Sequence, residues 1–304
     1  MSLVVLMSTY NGEKYLKEQL NSIVSQSLKP DKVLLRDDGS ADKTLDILKY
    51  YSDCYKYIEY YKGENLGPAK SFWELINEAG EYDYYALSDQ DDVWFKDKLE
   101  VAVRTLKQER NNDIPLLYCC RYVMTDENLN PVESEISNLY QYTDFAHALL
   151  YQTAPGCTMV FNKAAREKIV KYDINSEYCI IHDSIIHKIT TLFGKMILDE
   201  TPHIYYRQHS NNEIGMPKNK IEQFKLRLKN FFKGKNKNSR SEMAKSLLNV
   251  YGEDCLEDKK KLINIVANYR DNPELKKELI TNNSFKVEGI NNLLFKLLVL
   301  FKYI

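Results

Sequence analysis

The first two hundred or so residues of this chain alternate short apolar runs with amphipathic segments, and that alternation restricts what it can fold into. Leu3–Ser8 reads as a buried strand, and Glu13–Ser27 follows as a helix with Tyr15, Leu16, Leu20, Ile23 and Val24 on one face. Lys32–Arg36 is a second strand, and Lys43–Tyr51 a second helix behind a cap at Ser40 or Asp42. Tyr57–Tyr61, Ala69–Ala79, Tyr84–Leu87 and Lys96–Gln108 continue the pattern. Repeated βα units with short connections predict an α/β fold built on a mainly parallel, doubly wound sheet. Further on, Leu116–Met124 and Cys157–Phe161 read as strands around a polar loop at Asn128–Tyr142. Helices at Lys163–Val170 and His182–Phe193 then lead to short strands near Met196–Leu198 and His203–Tyr206.

In an open α/β sheet, ligands gather beyond the carboxyl ends of the strands. Acidic clusters occupy those positions here. Asp37-Asp38-Gly39-Ser40 follows the second strand, Asp89-Gln90-Asp91-Asp92 follows the strand ending at Leu87, and His182-Asp183 opens a later helix. Carboxylates massed there repel a phosphate unless a cation lies between them. Their oxygens suit Mg²⁺ or Mn²⁺, ions that also bind diphosphate. A metal-bridged nucleotide diphosphate is the economical expectation. The alternatives residue by residue are a capped turn for Asp37–Ser40, a surface Asp-x-Asp for Asp89–Asp91, and an acidic helix start for His182-Asp183.

Taken in order, Thr9-Tyr10-Asn11-Gly12, Asp37-Asp38-Gly39-Ser40, Asn65-Leu66-Gly67, Ser88-Asp89-Gln90-Asp91-Asp92-Val93-Trp94, Gly156-Cys157-Thr158, His182-Asp183 and Tyr206-Arg207-Gln208-His209 strongly resemble glycosyltransferase family 2. That family has the GT-A fold, and the nearest branch is the bacterial rhamnosyltransferase-like one that builds surface polysaccharides. The resemblance implies an inverting, metal-dependent transfer of a sugar from a dTDP-rhamnose or UDP-hexose donor to a saccharide acceptor, often lipid-linked. It assigns nucleotide binding to Thr9, Tyr10, Asn11, Asp37, Asp38, Asn65, Asp89 and Gln90, and a diphosphate contact to Arg207. It assigns a Mn²⁺ or Mg²⁺ ion to Asp91, completed by His209, and the base that deprotonates the acceptor hydroxyl to Asp183. Trp94 is either the floor of the sugar pocket or a buried structural residue. Where relatives carry bulky aromatics after this Asp, Ser184, Ile185 and Ile186 stand here.

The resemblance spans residues 1–215, predicted as the catalytic domain, and 216–304 is predicted as a helical C-terminal region. Between Met216 and Arg240, nine Lys or Arg face one acid, Glu222, with Phe224, Leu228, Phe231 and Phe232 interleaved. This reads as a basic amphipathic helix that either lies on an anionic membrane or packs on the catalytic domain. The apolar tail Leu293–Ile304 offers a second such surface, for lipid or for a homodimer.

Composition then narrows the classes. With 304 residues, 44% hydrophobic and 28% charged, the chain has the material for a large core, which excludes a disordered or disulfide-scaffold protein. A net charge of −1 gives no global drive toward nucleic acid. Six cysteines without Cys-x-x-Cys spacing read as reduced thiols, which fits a cytoplasmic enzyme at the inner face of the membrane. No signal peptide and no spanning segment are recognised. The 23 tyrosines suggest many half-buried rings at the surface. A sugar nucleotidyltransferase is the enzymatic rival, but the first loop holds one glycine rather than a triphosphate-cradling run. A non-catalytic carbohydrate-binding scaffold is the other alternative. Intact Asp89, Asp91 and Asp183 argue against it.

Overall fold

The computed structural model describes residues 1–111, 113–132, 142–151, 154–174, 181–209, 239–288 and 290–304. The early alternation is realised as β1 (Leu3–Thr9), α1 (Leu16–Val24), β2 (Lys32–Asp37), α2 (Thr44–Cys54), β3 (Ile58–Lys62), α3 (Pro68–Glu78) and β4 (Tyr84–Ser88). After a two-residue strand β5 (Val93–Trp94) come α4 (Lys98–Lys107), β6 (Leu116–Thr125), α5 (Phe145–Leu150), β7 (Met159–Asn162), α6 (Lys163–Ile169), α7 (His182–Phe193) and β8 (Lys195–Arg207).

The eight strands form one sheet in the order β3-β2-β1-β4-β7-β6-β8-β5. Parallel pairings join β3, β2, β1 and β4, and also β6 with β8. β7 runs antiparallel to both β4 and β6, and β5 antiparallel to β8. The sheet is therefore mostly parallel with helices against it, an α/β fold as expected. The two short strands read near Met196 and His203 are one strand, β8, whose register against β6 shifts around Arg121. A bulge breaks the apolar alternation there, so the sequence shows two pieces.

The core follows from the strands. Leu3, Val4, Val5, Leu6 and Met7 are wholly buried, as fits a central parallel strand covered on both faces. The tyrosines depart from expectation. Tyr85, Tyr118, Tyr172, Tyr251 and Tyr269 are among the most deeply buried side chains, and each hydroxyl has a hydrogen-bond partner. The large ring repays burial when its hydroxyl is satisfied.

Beyond residue 238 the described residues form α8 (Ser239–Tyr251), α9 (Glu257–Asn268), α10 (Pro273–Thr281) and α11 (Ile290–Leu300). They dock on the α/β portion. Tyr251 donates to the Lys168 carbonyl at 2.8 Å, Arg240 Nε to the Leu150 carbonyl at 2.6 Å, and Tyr172 to Met243 Sδ at 3.4 Å. The expected domain boundary near 215–217 and most of the basic segment 216–240 lie outside the described residues, as does Cys179. The other five cysteines are free thiols, and no described helix is long and apolar enough to cross a membrane.

Candidate active site

The acidic motifs meet at the carboxyl-terminal edge of the sheet because β1, β2 and β4 are adjacent and parallel. Three loops are laced together there. The Asn11 amide donates to Ser40 Oγ at 2.9 Å, and Asn11 Oδ1 accepts from the Ala41 amide at 2.9 Å. The Gly12 amide donates to Thr44 Oγ1 at 2.8 Å. Gln90 pairs twice with the Tyr10 backbone, accepting its N–H at 2.9 Å and donating to its carbonyl at 3.0 Å. A side chain at position 12 would collide with that Gln90 amide, its Cβ 2.2 Å from Oε1, so glycine permits the pairing.

The two aspartates after β2 do different jobs. Asp37 accepts from the Gly39 and Ser40 amides at 3.2 and 3.0 Å and from Ser40 Oγ, with Thr9 Oγ1 3.3 Å away. It closes a turn in which Gly39 takes φ +87°, a region that favours glycine. Asp38 pairs with Arg36 and accepts the Leu66 and Gly67 amides at 3.0 and 2.9 Å. Both carboxylates are buried. Arg36, Asp38 and the loop before α3 thus form one unit that single-motif matching missed. An arginine ending the apolar run Val33-Leu34-Leu35 was the available signal. Tyr10, Asn11 and Asn65 are exposed beside this unit.

At the second cluster, His209 Nε2 lies 2.9 Å from Asp91 Oδ2, although 118 residues separate them. Its ring stacks on Tyr15 with centroids 4.7 Å apart. The two residues assigned to a metal are therefore together, with Asp89 on the same loop. Carboxylate oxygens plus an imidazole nitrogen are a donor set that Mn²⁺ or Mg²⁺ accepts. A competing set also exists, since donor atoms of Asp89, Asp92 and Cys157 lie within 4.8 Å of one another. Burial pushes the Cys157 thiol well up, and the nearby Asp92 and Asp89 charges push it further. Burial, then the Asp91 and Asp89 charges, raises Asp92 in the same way. A cation there would have to displace protons from both groups. Asp91, Asp89 and His209, each only partly buried, are the alternative donor set.

Arg207 has a different setting from the one its motif implied. It is 2% exposed, and its backbone amide donates to Asp92 Oδ1 at 3.1 Å. Its guanidinium donates to the carbonyls of Asp91 (2.8 Å) and Glu127 (2.6 Å), pairs with Glu18, and stacks over Tyr15. It ties the acidic loop to β8 and α1. Trp94 is likewise buried, and Lys98 Nζ lies 3.5 Å from its ring centre. Lys98 is itself fully buried, and burial pulls it down to about 8. A lysine opening a helix ordinarily reads as solvated, so nothing in the sequence marked it.

Asp183 sits in the first turn of α7, and its Oδ2 accepts the Gly156 amide at 2.8 Å. The Gly156-Cys157-Thr158 and His182-Asp183 motifs are thereby in contact. His182 Nδ1 lies 3.4 Å from Asp183 Oδ1, and burial pushes the imidazole down, keeping it neutral.

A family model for glycosyl transferase family 2 matches residues 4–170, more than half of the chain. The chain belongs to glycosyltransferase family 2. This family 2 enzyme is 31% identical over 219 residues to the dTDP-rhamnosyl transferase RfbG of Shigella flexneri, covering 69% of this chain and 73% of that protein. It is 26% identical over 235 residues to an uncharacterized glycosyltransferase of Rickettsia typhi, covering 75% and 71%. Among solved structures, S. aureus TarS 1–349 in complex with UDP-GlcNAc superposes with a TM-score of 0.61 at 16% identity, over all of this chain and 80% of that one. TarS 1–349 in complex with UDP gives 0.59 at 18% identity, with the same coverage of both chains. At such identity the likeness to TarS is one of fold.

Proposed function

We propose that this glycosyltransferase moves a rhamnose or hexose from a dTDP or UDP donor to a saccharide hydroxyl, with inversion, in polysaccharide synthesis. The observation that carries it is the gathering of Asp91–His209 and Gly156–Asp183 at the strand ends that also hold Thr9, Asp37 and Asp38. The likeness to RfbG supports a dTDP-rhamnose donor, and the fold shared with UDP-complexed TarS supports a pyrimidine nucleotide more broadly.

Each residue has a task in this reading. The exposed Tyr10 ring and Asn65 face the nucleotide, on loops that Asp37, Asp38 and Gln90 hold in place. Asp91 and His209, with Asp89, would hold a divalent ion, which would supply positive charge opposite the departing diphosphate. Asp183 takes the proton from the acceptor hydroxyl as its oxygen bonds the anomeric carbon and the carbon–phosphate oxygen bond breaks. The pair of electrons leaves with the nucleoside diphosphate. Because a diphosphate is a good leaving group, no protein acid is required on that side, unlike glycoside hydrolysis.

Asp91→Ala is expected to abolish Mn²⁺-dependent dTDP or UDP binding measured by calorimetry. Asp183→Ala is expected to keep that binding and to lower transfer by roughly 100-fold or more, the usual yield of a general base. Normal turnover by Asp183→Ala sinks the base assignment. The basic segment 216–240 is read as the contact with an anionic membrane carrying a lipid-linked acceptor. Glutamine at Lys225, Arg227 and Lys229 should then reduce sedimentation with phosphatidylglycerol vesicles, and unchanged sedimentation refutes that contact.

A further inference from the structure

Phe72 on α3 packs against His182, the residue beside Asp183. The Asp38 carboxylate, by accepting the Leu66 and Gly67 amides, fixes the start of that helix. One turn on, Ser71 Oγ is held by Arg36 Nη1 at 2.9 Å and by Ser8 Oγ at 2.6 Å. The next residue, Phe72, is buried, and its ring stacks on His182 with centroids 4.2 Å apart and planes 20° apart. The far edge of the same imidazole abuts Gly156. A Cβ there would lie 2.8 Å from His182 Nε2, closer than real side chains approach. Gly156 in turn donates its amide to Asp183 Oδ2. Among the described residues His182 Nε2 has no hydrogen-bond partner; the Phe72 stack, the fit against Gly156 and the approach of Nδ1 to Asp183 Oδ1 hold the ring.

We propose that Phe72, His182 and Gly156 are positioning residues that aim the Asp183 carboxylate, and that α3 joins this alignment to the nucleotide loop after β2. The proposal rests on Asp183 being the base. The Asp183 carboxylate, which accepts the Gly156 amide, takes its position at the helix start together with its neighbour. His182 is that neighbour, and Phe72 and Gly156 define its place. An ångström of displacement in a proton-transfer pair costs one to two orders of magnitude in rate. A fixed side chain also loses less entropy when the acceptor binds.

The test compares Phe72→Leu, Gly156→Ala, His182→Ala and His182→Phe, with Asp183→Asn as the reference. Release of dTDP from dTDP-rhamnose, or of UDP from UDP-GlcNAc where the wild type uses that donor, gives kcat. Calorimetry gives dTDP or UDP affinity. Phe72→Leu, Gly156→Ala and His182→Ala should lower kcat roughly 10- to 100-fold while nucleotide affinity stays within about twofold. His182→Phe, which restores a flat ring against Phe72, should recover most of the loss. In glycine-¹⁵N-labelled protein, the Gly156 amide resonance should move in Phe72→Leu as it does in Asp183→Asn, a readout independent of donor. Wild-type kcat and an unmoved Gly156 resonance in Phe72→Leu, with Asp183→Asn inactive, overturns the positioning proposal and leaves the base intact. Full turnover by Asp183→Asn instead removes the base itself. Loss of nucleotide binding in parallel with kcat overturns the proposal too, because the residues would then serve the donor site.

Discussion

At the residue scale, chemistry and burial decide between roles that a motif leaves open. Arg207 stands in a motif whose arginine is expected to meet diphosphate, yet here it is buried and donates to two carbonyls and to Glu18. Its planar fork matches those acceptors in a way that a lysine ammonium does not. Arg207→Lys is therefore expected to lower the free energy of unfolding by about 2–4 kcal/mol, in the range for breaking a buried charged network, measured by urea denaturation. A variant of wild-type stability with weakened nucleotide binding would return Arg207 to the diphosphate. Asp91, His209 and Asp183 were singled out through the resemblance to the family's motifs, and the structure sets Asp91 beside His209 and Asp183 beside Gly156, a glycine to which the sequence assigned no role. Arg36 and Lys98 were not, because a charged side chain in a strand or at a helix start reveals its partners only after the chain has folded.

At the element scale, the apolar periodicity carried most of the information. The βα units through β4 lie where the period places them, differing by a few residues at the ends, as at α1, which begins at Leu16 rather than Glu13; the expected cap at Ser40 or Asp42 is not formed, since the N-cap of α2 is Lys43, without a side-chain cap. The losses occurred where tertiary contacts override local pattern. β5 is only Val93–Trp94 and exists because β8 offers it an edge at Tyr205 and Ile204. α5, six residues with Asp144 capping the His147 amide, is too short to show a period. The tight passage from α7 into β8 depends on Gly194, where a Cβ would lie 1.8 Å from the Pro115 carbonyl oxygen. Nothing local to Phe193-Gly194-Lys195 reveals that β6 begins against it, since the contact is made across 79 residues.

At the scale of the whole molecule, the C-terminal helices and the catalytic portion meet at an ionisable contact. His147 on α5 directs Nδ1 to Asp144 Oδ2 and Nε2 to the Lys286 carbonyl at 3.0 Å, so both nitrogens face acceptors. Its ring stacks on Tyr142, whose hydroxyl accepts the Glu288 amide at 3.1 Å. Neutral imidazole has one N–H, so only the cation satisfies both acceptors. Burial pulls His147 down, but the Asp144 carboxylate and the Lys286 carbonyl outweigh it and raise the imidazole above its ordinary 6.5. Burial likewise pushes Asp144 up, and hydrogen bonding to His147 more than reverses it, leaving the carboxyl below 3.8. The signs are opposite. The histidine's contribution is complete below 6.5 and fades as pH rises through its higher folded value. The aspartate's is complete above 3.8 and fades on acidification through its lower one. Buried His187, pushed down to about 3 by burial and then by Lys188, works against the first trend, because it must be neutral to fold. The difference between wild type and His147→Gln isolates the contact. Urea unfolding should show the wild type more stable by about 1.5 kcal/mol near pH 6, the lower end for a hydrogen bond to a charged group, with the gap closing toward pH 8.5. A gap that stays constant with pH would mean that the contact with Lys286 is held by shape alone, and that protonation does not govern how firmly the C-terminal helices are attached.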